Sequence, residues 1–130
     1  MPFMTMSHDV EPKDKLLNDI GDLGHIEIFN NQILCAVYIR PTKTKSGIYL
    51  TDHMVDEDRN QSKVGLIVKM GDDAFKDSTG GWFNGKTFEE HEWVVFRPSD
   101  GWSITVNNVL CRILEDVSIR GRIQQPDEVW

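Results

Sequence analysis

Four histidines (His8, His25, His53 and His91), two cysteines (Cys35 and Cys111) and two acidic runs are the places where this chain could hold a metal ion or move a proton. The histidines are dispersed, with no pair spaced to share one face of a helix. Asp52, His53, Asp56, Glu57 and Asp58 have the composition of a metal site. They lack the glycine and ligand order of a calcium loop, so they read as solvated loop charge. Glu89, Glu90, His91 and Glu92 could supply a general acid and base, but they precede a strand on a turn, where such residues form a solvated face. Cys35 and Cys111 sit far apart in strand-like runs without a CxxC partner and read as buried thiols acting as small hydrophobes. Nucleotide-binding and nucleophile-elbow motifs are absent. No catalytic residue, metal ligand or cofactor is therefore expected.

Binding remains. In KTKSGIYLTDHMVDEDRNQSK, residues 43–63, Ile48, Tyr49 and Leu50 form an apolar triplet in a run that is otherwise charged, polar or turn-forming. Burying Ile48 and Leu50 on a partner supplies roughly 1.5–3 kcal/mol each, less the cost of ordering a loop, so one copy binds weakly. Several copies on one ring gain avidity when geometry lets them engage together. The alternative is that GIYL is an ordinary barrel strand with Tyr49 facing outward.

The elements that must position this triplet are short strands. HIEIF, QILCAVYI, GIYL, VGLIVKM, EWVVF, GWSITV and NVLCRIL are β-branched or aromatic and separated by turn residues, which predicts seven strands and an all-β domain. In GWSITV, Trp102, Ile104 and Val106 alternate with Ser103 and Thr105, the pattern of a half-buried strand. QILCAVYI is apolar nearly throughout, as in a strand covered on both faces. Such a set closes most easily into a small barrel. Upstream, residues 1–10 read as a flexible arm, and PKDKLLND predicts a short helix with Pro12 in its first turn, Leu16, Leu17 and Ile20 on one face, and a stop at Gly21. Residues 71–91 form an excursion, expected to be a hairpin, in which Gly80-Gly81 and Asn84-Gly85 are turn signals around Trp82 and Phe83. The expected organisation is an N-terminal arm with a short helix over 1–24, a barrel over 25–120 and a tail over 121–130.

Composition narrows the function further. A formal charge of −7 repels phosphate backbones and argues against nucleic acid. No apolar run approaches the ~20 residues that span a bilayer, and the N-terminus lacks the basic and apolar regions of a secretory signal. An intracellular protein is expected, with no membrane partner.

The order of these pieces resembles the GroES-type co-chaperonins from Ile26 to Arg120. IEIFNNQILCAVYIRP is similar to that family's opening, KTKSGIYLT to the start of its mobile loop, and VGLIVKMG to the strand and glycine after it. EWVVFRPSDGWSITVNNVLCRILEDVSIR resembles the closing half. The resemblance implies a β-barrel protomer in a homo-oligomeric ring, heptameric in the bacterial family, which caps an ATP-driven chaperonin and encloses a folding chamber. By position, Gly47, Ile48, Tyr49 and Leu50 in a mobile loop over 42–63 become the chaperonin contacts. Residues 71–91, with Gly80, Gly81, Trp82 and Phe83, take the place of the roof hairpin. ATP belongs to the partner, and the location implied is cytoplasmic. The chain departs from the family where Tyr49 replaces an aliphatic residue, where the segment after Thr51 is longer and more acidic, and where His91-Glu92 replaces a glycine-aspartate turn. Extended, divergent versions of this fold are typical of bacteriophages. That gives an alternative reading as a virion component, whether ring, neck or capsid decoration, with virion proteins as partners, or a co-chaperonin in the host cytoplasm.

Overall fold

The computed structural model describes residues 11–39, 62–76, 83 and 86–129. Six strands are found among them: β1 (Gln32–Val37), β2 (Val64–Met70), β3 (Trp93–Val95), β4 (Trp102–Val106), β5 (Val109–Glu115) and β6 (Gly121–Ile123). They form one antiparallel sheet in the order β4-β5-β1-β2-β3-β6.

β1 lies between β5 and β2, and alternate side chains leave opposite faces of a strand, so the apolar run of QILCAVYI feeds two cores. Ile33 and Cys35 pack with Ile67, Val94, Phe96 and Leu114 on one face. Leu34, Ala36 and Tyr38 pack with Leu66, Trp93 and Cys111 on the other. The expectation of a strand covered on both faces is met. The second cluster draws side chains from every strand, including Val106 of β4 and Ile123 of β6, which joins both ends of the sheet to one interior. This is a small all-β barrel. Among the described residues β4 and β6 form no ladder with each other, so hydrogen bonds leave that seam open.

A short helix closes this interior. α1 (Pro12–Ile20) begins with Pro12, whose missing N–H costs nothing in a first turn, and stops at Gly21, which adopts φ 64° while its N–H caps the Leu17 carbonyl at 3.1 Å. Leu16, Leu17 and Ile20 join the shared core. Burying Ile20 fully contributes about 1.5–3 kcal/mol, which fixes the helix to its own sheet. Asn107 secures the contact, since its Nδ2 donates to the carbonyls of Ile20, at 2.6 Å, and Asp22, at 3.0 Å. Asn107 and Asn108 both have positive φ, as the two-residue turn between β4 and β5 requires.

Three strand expectations need correction. HIEIF forms no ladder among the described residues. Ile26 and Ile28 turn inward and Phe29 outward, but that alternation reports a buried face rather than a partner strand. Lys69 holds this lead-in instead, with its Nζ donating to the carbonyls of Leu23, at 2.8 Å, and Ile26. Trp102, expected on the buried side of β4, is 78% exposed, because it stands at the strand's first position beyond the reach of the core. GIYL lies outside the described residues, and the sixth strand is β6, which pairs with β3.

Gly71 is where the lead-in and β2 meet. It donates to the Gln32 carbonyl at 2.8 Å, and a Cβ there would stand 2.3 Å from the Asn30 carbonyl oxygen. Gly71→Ala should therefore lower unfolding free energy by about 1–3 kcal/mol, the cost of forcing backbone apart in a packed site, as read by urea denaturation.

Candidate functional site

The two long insertions carry every residue singled out for binding. Gly47, Ile48, Tyr49 and Leu50 lie outside the described residues, as do Gly80, Gly81 and Trp82; Phe83 is described. The feet of both insertions are on view, and each is tightly held.

The first insertion, residues 40–61, leaves the sheet just after β1 and returns just before β2. Tyr38 stands at the exit. Its N–H donates to the Val64 carbonyl at 3.0 Å, and its ring meets Trp93 edge-on at 5.6 Å. Ser62 stands at the return, fully buried, and its hydroxyl donates to the Tyr38 carbonyl at 2.7 Å. One buried hydroxyl thus closes the mouth of the insertion. The Phe96 N–H donates to the Lys63 carbonyl at 2.9 Å and fixes the next residue.

The second insertion leaves after β2 through a turn pinned by Asp116. This buried carboxylate accepts from the Phe75 N–H at 2.9 Å and from Asn31 Nδ2 at 3.1 Å. Phe75 stacks on Phe88 at 4.1 Å, and Phe83 meets both rings edge-on at 5.5 and 6.4 Å. The Arg122 guanidinium lies 4.8 Å from the Phe88 ring, where cation and π face attract. Arg122 Nη1 also donates to the Thr87 carbonyl at 2.8 Å and pairs with Glu92 Oε2 at 2.9 Å. Three phenylalanines and an arginine from β6 therefore anchor the returning limb. Phe83 alone was singled out in the sequence; Phe75 and Phe88 carried no signal apart from being aromatic.

Of the acid–base candidates, His91 and Glu92 are held by the sheet. His91 and Glu92 form a bulge, in which the Ile67 carbonyl accepts from the His91 N–H at 2.6 Å and the Ile67 N–H donates to the Glu92 carbonyl at 3.0 Å. Both Glu92 carboxylate oxygens are taken, one by Arg122 and one by the Glu89 N–H. A cleft of about 450 Å³ opens beside them, lined by Lys13, His91, Glu92, Trp93, Arg122 and Gln124, and its one carboxylate is already neutralised. Asp52, His53, Asp56, Glu57 and Asp58 lie outside the described residues. Among the described residues, no three His, Cys, Asp or Glu side chains gather as a metal would require.

Both thiols are buried and free. Burial pushes the Cys111 thiol up to about 11, and pushes Cys35 higher still with a smaller push from Cys111. A nucleophile needs the opposite shift.

A small antiparallel β-barrel with one insertion between its first two strands and a second between the next two has the architecture of a co-chaperonin. The family model for the Chaperonin 10 Kd subunit, Cpn10, matches residues 25–123, and the chain belongs to that family. The match takes in β6, which lies in the stretch assigned from sequence to the tail. No curated protein matches the chain closely enough to count as a relative. Cpn10 proteins are co-chaperonins that act together with a chaperonin, which sets the general role of this chain.

Two outcomes follow from this geometry. His91 has φ 72°, a left-handed conformation that costs a side-chain-bearing residue about 1–2 kcal/mol. His91→Gly should then raise unfolding free energy by about 0.5–1 kcal/mol, part of the relief being offset by glycine's greater unfolded-state freedom. The thiols, whose native pKa values lie above the ordinary 9.0, hold their protons in the folded state after unfolded thiols lose theirs. Their contribution is complete below pH 9 and is lost as pH climbs from 9 through about 11 for Cys111 and beyond for Cys35. Guanidinium titrations at pH 8 and 10.5 should show this fall in wild type, and a shallower one in a Cys35→Ala/Cys111→Ala variant.

Proposed function

We propose that this chain is the subunit of a ring-forming co-chaperonin that caps an ATP-dependent chaperonin and assists protein folding. Gly47, Ile48, Tyr49 and Leu50 make the contact, with Gly47 supplying backbone freedom for the inserted turn. The observation that carries this reading is the Cpn10 match together with the position of residues 40–61, rooted between β1 and β2 where the family places its chaperonin-binding loop.

The energetics suit a reversible lid. Each apolar anchor contributes a modest free energy, and a ring multiplies modest contacts into an association that is still released when the partner changes state. The protomer also presents surfaces for ring formation. Among the described residues, 26–29 and the outer edge of β6 have no ladder partner, and Phe29 is 63% exposed. Two different edges meeting head to tail build a closed ring when the rotation closes, and seven subunits is the number the family resemblance implies. The second insertion, with Gly80, Gly81, Trp82 and Phe83, roofs the chamber. ATP is hydrolysed by the chaperonin, in the cytoplasm of the cell or of a phage's host.

The virion alternative rests on the arms and on the departures in the loop. Residues 12–28 pack on their own barrel through Ile20, Asn107 and Lys69, residues 1–10 and the loop lie outside the described residues, and no observation favours that reading.

Co-elution with a chaperonin in the presence of nucleotide tests the proposal. Wild type should co-elute as a multimer whose native mass gives the ring size. Leu50→Asp should keep the ring and abolish association, since a desolvated charge replaces an anchor of roughly 2 kcal/mol at every site. A wild-type ring that ignores chaperonin in every nucleotide state overturns the reading.

A further inference from the structure

We propose that the C-terminal segment is a latch on the foot of the first insertion, with Asp127 and Tyr38 as its two halves, so that these residues position the chaperonin-binding loop without touching the chaperonin. After β6 the chain forms a 3-10 turn, Pro126–Val129, that lies against β2 with Pro126 buried. From this turn the Asp127 carboxylate accepts a short hydrogen bond from the Tyr38 hydroxyl, joining residues 89 apart in sequence.

Tyr38 is the point at which such a tie has most effect. It is 3% exposed, and its backbone N–H, carbonyl and ring are already engaged by Val64, Ser62 and Trp93. The phenol bonds to the C-terminal turn. A side chain held at ring, backbone and hydroxyl resists pivoting, so the position of Tyr38, the foot from which the insertion departs, is set jointly by β2, β3 and the C-terminal turn. A hydrogen bond to a charged acceptor is among the stronger polar contacts a protein makes, which suits a latch that must hold one geometry. Trp93 adds a second route, because β3 pairs with β6, the strand that delivers the latch. Pre-setting the position of the foot lowers the ordering cost on binding, so the latch raises chaperonin affinity with no contact of its own.

The inference rests on the co-chaperonin reading, and the experiment separates the two. Tyr38→Phe keeps the ring against Trp93 and removes only the hydroxyl. Asp127→Asn keeps the size and removes the charge. Hydrogen exchange on the free protein should show the Tyr38 amide exchanging about tenfold faster in either variant. The double variant should be no faster than the singles, the non-additivity expected of a directly coupled pair. Chaperonin affinity should fall about tenfold in parallel, or about 1.4 kcal/mol. Asn31→Ala, at the opposite end of β1, serves as a control that weakens the fold but leaves the exchange of the Tyr38 amide and the affinity near wild type. Exchange at Tyr38 that stays at the wild-type rate, or that rises equally in the control, overturns the latch. Faster exchange with unchanged affinity overturns its coupling to binding. If wild type itself binds no chaperonin, the co-chaperonin reading falls, and the exchange rates alone decide whether the latch exists.

Discussion

Burial of β1 on both faces is the constraint from which the rest of this structure follows. A strand with Ile33, Cys35 and Val37 turned one way and Leu34 and Ala36 the other, each at most 1% exposed, cannot slip by one residue without sending every side chain into the wrong core. Its register with β2 and β5 is therefore fixed, and the chain can leave the sheet only at its ends. Both ends are secured by buried polar groups. Asp116 gathers Asn31 and Phe75 at the first, and Ser62 bridges the chain to Tyr38 at the second. Fixed feet allow long insertions to be carried without loss of the barrel, because closing a longer loop adds little entropy cost once its ends are held.

The same economy governs the polar and titratable groups among the described residues. Several residues that look chemical in isolation serve the architecture. Glu92 neutralises Arg122, His91 makes a bulge, and Cys35 and Cys111 fill space. Arg112, a buried polar group on the face that carries Cys35 and Phe96, donates to the Asp100 carbonyl at 2.7 Å and lies 5.8 Å from the Phe96 ring. Burial pulls its guanidinium below its ordinary value while Asp100 pushes back, and the hydrogen bond to the Asp100 carbonyl ties the 97–100 turn to β5. The barrel fixes the residues from which both insertions depart, Tyr38 and Ser62 at the first and Phe75 and Phe88 at the second.

Much of this was legible in the amino-acid pattern. The central strands, the helix that stops at Gly21 and the Cpn10 relationship could all be read, because long apolar runs, a glycine stop and the order of segments are local or sequential signals. Pairing is neither. HIEIF alternates as a strand does, yet alternation records only that one side is buried, and Ile26 and Ile28 satisfy that without a ladder. GRI at 121–123 was too short to register as a strand, although β3 supplies it a partner. Asn107 and Asn108 form the two-residue hairpin turn without the glycine that usually announces one. The stack of Phe75 on Phe88 and the bond from Tyr38 to Asp127 join residues that only the folded chain brings together.

The placement of the two sulfur atoms has a consequence for the protomer's chemistry. Cys35 and Cys111 occupy neighbouring strands, but Cys35 is paired across from Arg112 and belongs to one core, while Cys111 is paired across from Ala36 and belongs to the other. The backbone of the sheet stands between them, so an oxidant has no internal bridge to forge. The barrel therefore keeps the same covalent framework whether its surroundings are reducing or oxidising.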